Sequence, residues 1–263
     1  PSMVDEYVNS VVDSFPSDTG KGFLVVADPG CGAAAWTTPE ILSRMGCRVF
    51  SLNSQMDGTF PGRLPEPSPE GLAPLADLVK ATGARFGVAH DGDADRAVFI
   101  DDRGRFLEEN RQFGLIADFI CRERKGVIVT PVSTSRIIEV IAERRGCTVC
   151  YTPVGSIYVA RTMIDLAHNG TEVAFGGEGN GGLIYPKHQL CRDGGMTAAT
   201  MVALLASSSQ PLSSLVDALP HFYMIKEKIR EKDAAGLIER LKKAFSGESL
   251  DCTDGIRINR EDS

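Results

Sequence analysis

The residues best suited to chemistry are Asp91, Asp93 and Asp95, set at every second position of Asp91-Gly92-Asp93-Ala94-Asp95-Arg96. Alternate side chains of an extended chain share a face about 6 to 7 Å apart, and a tight turn brings them closer. Gly92 permits such a bend. Three converging carboxylates raise one another's pKa unless a cation sits among them, and hard oxygen ligands suit Mg²⁺, Ca²⁺ or Mn²⁺. Arg96 adds a planar cationic fork beside that metal, a pairing suited to a phosphate dianion. An EF-hand is excluded, because its sixth position needs Gly where this chain has Arg96, and its twelfth needs Glu where it has Asp102. The bland competitor is a solvated acidic turn, since Asp and Gly are ordinary turn residues.

A second polar cluster lies in Gly176-Gly177-Glu178-Gly179-Asn180-Gly181-Gly182. A Glu among glycines leaves the backbone open to close ligand approach. Glu178 can accept hydrogen bonds from two neighbouring hydroxyls while Asn180 both donates and accepts, which suits the edge of a sugar. Asn180 also reads as a turn residue at positive φ, and Ser156 as a helix cap.

The elements that position these clusters follow from periodicity. A helical stripe runs from Met3 to Phe15, strands over Phe23–Ala27 and Cys47–Leu52, and helices over Pro39–Met45 and Gly71–Ala81. A Pro, Gly and Ser-rich loop spans Ser54–Pro69, and strands Ala84–Ala89 and Ala97–Ile100 flank the acidic turn. The order then restarts. Helices are predicted over Asn110–Arg124, Ser135–Glu143 and Gly155–Ala167, and strands over Val127–Val129, Cys147–Tyr151, Glu172–Phe175 and Leu183–Tyr185. Val88-Ala89 matches Val173-Ala174, Gly92 matches Gly177, Asp93 matches Glu178 and Asp95 matches Asn180, all at an offset of 85. Asp28-Pro29 matches Thr130-Pro131 at 102, and the difference of 17 nearly equals the Ser54–Pro69 loop. Two tandem domains of one topology follow, the first carrying the longer loop. Asp193 is expected to cap a helix to Ser207, with a short helix over Leu212–Leu219. Beyond Pro220, Met224–Arg230 is charged and amphipathic, Ala234–Phe245 is helical, and Asp254–Ile258 begins a strand with no partner, as if a further α+β domain were unfinished.

Composition bounds the function. Hydrophobic residues make up 43% and charged residues 24% of 263, ordinary for a globular protein. No apolar run reaches the roughly 18 residues of a membrane helix, and no signal peptide opens the chain, so a cytoplasmic protein without a membrane partner is expected. A net charge of −7 argues against a nucleic-acid surface and favours small-molecule partners. Seven scattered cysteines give no disulfide framework. Cys147 and Cys150 form a CxxC in a strand, where residues three apart face opposite sides, which disfavours redox or zinc chemistry. Gly30-Cys31-Gly32 reads as a strand-to-helix turn, His90 as a packed strand residue, and His168, His188 and His221 lack ligand spacing.

Together these turns resemble the phosphohexomutases, the superfamily of phosphoglucomutase, phosphomannomutase and phosphoglucosamine mutase. Asp91–Arg96 resembles the family's magnesium loop, and Gly177–Gly181 its sugar-binding loop. Thr152-Pro153-Val154-Gly155-Ser156 is similar to a loop that holds the phosphosugar, and Arg192–Met196 to the Asp-Gly segment that follows. The resemblance implies two tandem α/β domains with mixed sheets flanked by helices, domain II over residues 1–104 and domain III over 105–219, with a truncated start of domain IV over 220–263. It implies that Asp91, Asp93 and Asp95 hold Mg²⁺, that Arg96 contacts a phosphoserine, and that Gly155, Ser156, Glu178 and Asn180 bind a phosphosugar or its bisphosphate intermediate. Domain I, which carries that serine in the family, has no counterpart here, so the chain reads as an inactive fragment whose partners are the missing domains of its own polypeptide. Asn180 stands where many members have Ser, Ser156 where His or Asp is common, and Ser133 where some have Lys, so neither the hexose nor a general acid or base carries over. Two other readings stay open: a noncatalytic metal- or phosphosugar-binding module, and a phosphatase with Asp91 or Asp93 as nucleophile.

Overall fold

The computed structural model describes residues 2–225, 227 and 230–260. Helix α1 (Met3–Val12) opens on a reciprocal capping box, in which Ser2 Oγ accepts from Asp5 N–H and the Asp5 carboxylate accepts from Ser2 N–H. Strand β1 (Leu24–Asp28) leads through a short 3₁₀ turn (Ala33–Trp36) into α2 (Thr38–Arg44), then β2 (Arg48–Ser51), α3 (Ala73–Thr82), β3 (Phe86–His90) and β4 (Ala97–Asp101). The second unit repeats this with α4 (Glu109–Glu123), β5 (Val127–Pro131), α5 (Ile137–Arg145), β6 (Thr148–Thr152), α6 (Ser156–His168), β7 (Val173–Glu178) and β8 (Gly182–Ile184). Helices α7 (Gly194–Ala206), α8 (Leu212–Asp217) and α9 (Ala234–Ala244) and a hairpin of β9 (Ser249–Asp251) and β10 (Arg257–Asn259) follow.

The two sheets have one topology, β2-β1-β3-β4 and β6-β5-β7-β8, with the last strand of each antiparallel to its neighbour. The duplication is therefore real, but its register differs from the expectation. Val88 pairs with Ala27 as Gly176 pairs with Val129, so on the incoming strand the copies differ in number by 88. Phe99 pairs with Val88 as Ile184 pairs with Gly176, so on the outgoing strand they differ by 85. The second turn is three residues shorter, and the ladder sets Glu178 against His90 rather than Asp93. Glu178 is thus the last residue of β7, not part of a turn.

Strands β3 and β4 are buried along their whole length, the pattern of sheet covered on both faces. The outer face of the first sheet packs Val26, Ala89 and Ile100 against Leu72, Leu75 and Val79. Its inner face shares one core with the second unit, joining Val25 and Phe99 to Ile128, Phe175, Met196 and Met201. Helix α7 lies within that core, and every residue from Gly194 to Leu205 is buried, as expected of a helix apolar on all sides. Asp193 caps it by accepting from Met196 N–H at 2.8 Å, as predicted.

The expectation of an unpartnered strand near the C-terminus is corrected. Arg257–Asn259 pairs antiparallel with Ser249–Asp251, while Asp254 and Gly255 lie in the turn between them. The hairpin rests on the second unit, where Arg257 stacks 4.7 Å from the Tyr151 ring centroid and pairs with Glu139 at 3.2 Å. Part of the charged Met224–Arg230 stretch falls outside the described residues.

Candidate metal and sugar site

In a parallel sheet the chain leaves β1 towards one side and β3 towards the other, and ligands bind beyond the carboxyl ends where these directions diverge. Asp91 follows β3 at that point, and the turn after β1 packs beside it, with Ala33 N–H donating to Gly92 O at 3.1 Å. In the second sheet the equivalent place is between β5 and β7, where Thr130 Oγ1 donates to Gly177 O at 2.9 Å and β7 ends on Glu178.

One oxygen from each of Asp91, Asp93 and Asp95 lies within 4.8 Å of the others. Asp91 is buried, Asp95 half-buried and Asp93 exposed. Burial is the main cause that raises the Asp95 pKa; the Arg192 guanidinium offsets part of it, and Asp91 and Asp93 add to it. Asp95 Oδ1 is buried and accepts no hydrogen bond, with Arg96 Nε 3.6 Å away. An acceptor in this state, among three hard oxygen donors, fits a divalent cation such as Mg²⁺.

Two arginines order the cluster. Arg96 Nε donates to Asp91 Oδ2 at 2.5 Å, while its two terminal nitrogens grip Glu66 bidentately at 2.6 and 2.7 Å. Hydrogen bonds that Arg96 donates to Glu66 and Asp91 raise its pKa, so the fork is always charged. Arg192 reaches from the segment before α7 to Asp95 with Nη2 and to Glu178 Oε2, at 2.5 Å, with Nη1. The acidic turn and the Glu178 strand end are thereby joined through one guanidinium.

The backbone closes the same seam. Ala97 N–H donates to Gly181 O at 3.0 Å, and Gly194 N–H donates to Ala94 O at 3.1 Å. Gly181 has φ +94°, and a Cβ there would stand 2.5 Å from Ala97 O, so both conformation and space call for glycine. A Cβ on Gly194 would meet His90 Nδ1 at 2.6 Å and two carbonyls of the acidic turn at 2.7 Å. His90 is fully buried and its Nδ1 lies 2.9 Å from Arg96 O, a packed strand residue as expected.

Asn180 Nδ2 donates to Glu178 Oε2 at 3.2 Å, and its Oδ1 accepts from Gly182 N–H at 3.3 Å. Asn180 does lie in the turn after β7, but the positive-φ positions here are Gly177 and Gly181, so the positive φ expected of Asn180 is corrected. Gly155, at φ +127°, precedes α6, which has no side-chain cap, so Ser156 is its first residue rather than its cap. These two stand beyond the end of β6, two strands from β7, hence roughly 10 Å from Glu178 across the sheet. Their loop instead touches the C-terminal hairpin, where Val154 N–H donates to Asp254 Oδ2 at 2.8 Å.

Sequence reasoning missed Glu66 and Arg192 as members of the site. Arg192 carried a signal, since it opens the segment likened to the family's Asp-Gly motif and stands directly before the cap Asp193; Glu66 carried none, because it sits in a loop 30 residues from Arg96. His188 also gained a role, its Nε2 lying 3.1 Å from Asp193 Oδ2. No helix among the described residues is long and apolar enough to cross a membrane.

Residues 5–104 match the family model for phosphoglucomutase/phosphomannomutase, alpha/beta/alpha domain II, and residues 108–223 match that for domain III. A phosphoglucomutase/phosphomannomutase of Thermococcus kodakarensis is 44% identical over 243 residues, covering 91% of this chain and 52% of that protein. A protein of Methanothermobacter thermautotrophicus named "Probable phosphoglucosamine mutase" is 40% identical, covering 99% of this chain and 57% of its own length. The crystal structure of a phosphoglucomutase/phosphomannomutase family protein from Burkholderia thailandensis superposes with a TM-score of 0.84 at 26% identity, over 99% of this chain and 56% of that one. The chain spans about half the length of the curated relatives it matches. With the doubled sheet, the acidic turn and the Glu178 strand end in the expected order, the chain belongs to the phosphoglucomutase/phosphomannomutase superfamily, of which it carries domains II and III.

Proposed function

We propose that this chain supplies the metal-binding and sugar-binding domains of a longer, cytoplasmic phosphohexomutase that interconverts hexose 6-phosphates and hexose 1-phosphates. The observation that carries the reading is Arg192, which holds Asp95 of the acidic turn and Glu178 of the sugar-loop strand in one cleft. In this reading residues 1–104 and 105–219 act as the two domains, residues 220–263 begin a third, and a phosphoserine comes from a domain outside these 263 residues.

Asp91, Asp93 and Asp95 would hold Mg²⁺, which when bound supplies charge stabilisation to a phosphoryl group in transfer. The residues of the chain do the positioning. Arg96, fixed through Nε on Asp91, directs its terminal N–H groups at the phosphate oxygens of the phosphoserine. Glu178 accepts from two adjacent sugar hydroxyls, and Asn180, already hydrogen-bonded to it, offers one further donor. Gly155 and Ser156, two strands away, suit the far end of the sugar phosphate, a separation that fits a substrate read in two orientations.

The relatives named for glucose, mannose and glucosamine phosphates set the assay. The polypeptide containing this chain, supplied with each 6-phosphate, Mg²⁺ and a hexose bisphosphate, is expected to form the 1-phosphate. Glu178→Gln is expected to lower kcat/KM at least tenfold, the effect of removing one charge-assisted hydrogen bond to substrate. Absence of turnover on all three sugars sinks the reading, and hydrolysis by this chain alone with an aspartyl phosphate would favour the phosphatase instead.

A further inference from the structure

Besides its longer acidic turn, the first domain differs from the second in the long connection between β2 and α3, which in the second copy shrinks to the three residues between β6 and α6. That connection is pinned at its middle. Arg63 is buried, pairs with Asp28 at 3.0 Å and donates to the backbone carbonyls of Asp28 and His90 at 3.1 and 2.6 Å. Pro65 and Phe60 lie against Gly92 in the acidic turn. One residue beyond Pro65, Glu66 projects back to the site and takes both terminal nitrogens of Arg96, at 2.7 and 2.6 Å.

The two ends of this pair differ. The Glu66 side chain is 67% exposed and that of Arg96 only 20%. A carboxylate offers a planar pair of oxygens matched to the guanidinium, as a phosphate does, but with one negative charge in place of two. An exposed pair is also weak, so it yields readily to a stronger anion.

We propose that Glu66 is a placeholder for phosphate: its carboxylate keeps the Arg96 fork aimed at the site between turnovers and is displaced when a phosphate dianion arrives. This inference rests on the reading of Arg96 as the phosphate contact. Asp91 retains Nε throughout, so the guanidinium exchanges one bidentate partner for another without leaving its place. Glu66 is thus a positioning residue and a competitor at once, and it sets how tightly the site holds a phosphate.

The test is phosphate affinity, measured by calorimetry on this 263-residue chain with saturating Mg²⁺ and inorganic phosphate as the probe. Glu66→Gln is expected to bind phosphate about fivefold more tightly, the equivalent of about 1 kcal/mol for one exposed ion pair. Glu70→Gln removes an equal charge from the same exposed loop without touching Arg96 and is expected to leave affinity unchanged. A purely structural role for Glu66 would weaken binding, not strengthen it. Unchanged or weaker binding by Glu66→Gln overturns the placeholder, as does equal tightening by Glu70→Gln. Undiminished phosphate binding by Arg96→Gln, in a variant that still binds Mg²⁺, would overturn the underlying reading of Arg96 instead.

Discussion

Tyr7 and Asp193, 186 residues apart in sequence, share a hydrogen bond of 2.6 Å that fastens α1 to the cap of the most deeply buried helix. Asp193 is 3% exposed, and it also accepts from Met196 N–H and from Gln189 Nε2 at 2.5 Å. Burial raises the Tyr7 pKa, and the Asp193 carboxylate raises it further, so the phenol stays a donor. Tyr7→Phe removes that donor from a buried carboxylate and is expected to cost about 1 to 3 kcal/mol in urea unfolding. Unchanged stability would mean that the contact does not form in solution.

The same cap sets an acid limit. Burial alone would raise the Asp193 pKa, but hydrogen bonds from His188, Met196 N–H and Tyr7 outweigh it and hold the value below the ordinary 3.8. A carboxyl depressed in the folded state stabilises above its unfolded pKa, and that contribution is lost as pH falls through the folded value. Stability measured by denaturant titration is expected to drop below pH 3.8, and Asp193→Asn to lose that part of the acid slope while also being less stable at neutral pH. An unaltered slope would assign acid unfolding to other carboxylates.

Arg192 separates Asp95 from Glu178 while binding both. Its truncation in Arg192→Ala takes the shared cation from Glu178 and leaves Asp95 only Arg96, at 3.6 Å, at a cost of about 1 to 3 kcal/mol. Added Mg²⁺ should recover more of that loss than it adds to the parent protein. Thermal unfolding with and without Mg²⁺ checks this, and equal shifts in the two proteins would rule it out.

Arg63 is a buried cation whose carboxylate partner Asp28 is equally buried, each side chain 3% exposed. Removing one member of such a pair strands the other, so Arg63→Met is expected to cost about 3 to 5 kcal/mol. Limited proteolysis should then cut within residues 54–69, where the loop has lost its anchor. Resistance equal to that of the parent would show that Phe60 and Pro65 hold the loop without it.

Asp93 is the exposed member of the acidic triad. Asp93→Asn is therefore expected to leave folding intact within about 0.5 kcal/mol and to weaken Mg²⁺ binding tenfold or more, as loss of a charged ligand requires. Calorimetric titration with Mg²⁺ decides it; undiminished affinity would place the metal elsewhere.

How much of this was legible in the sequence follows from the range of each force. Strand periodicity and the alternation Asp91, Asp93, Asp95 are local, so the acidic turn, the Asp193 cap and the doubled α/β order could be read residue by residue. Backbone pairing across strands is not local, so the shift from 85 to 88 between copies, and with it the true place of Glu178, emerged only from the ladders. The distant partners of Arg96 and Arg192, Glu66 and Asp95, lie 30 and 97 residues away, respectively. A guanidinium on a long flexible stem has no spacing rule of its own, and only the packing of α7 and the pinned loop against one sheet end decides which carboxylates it meets.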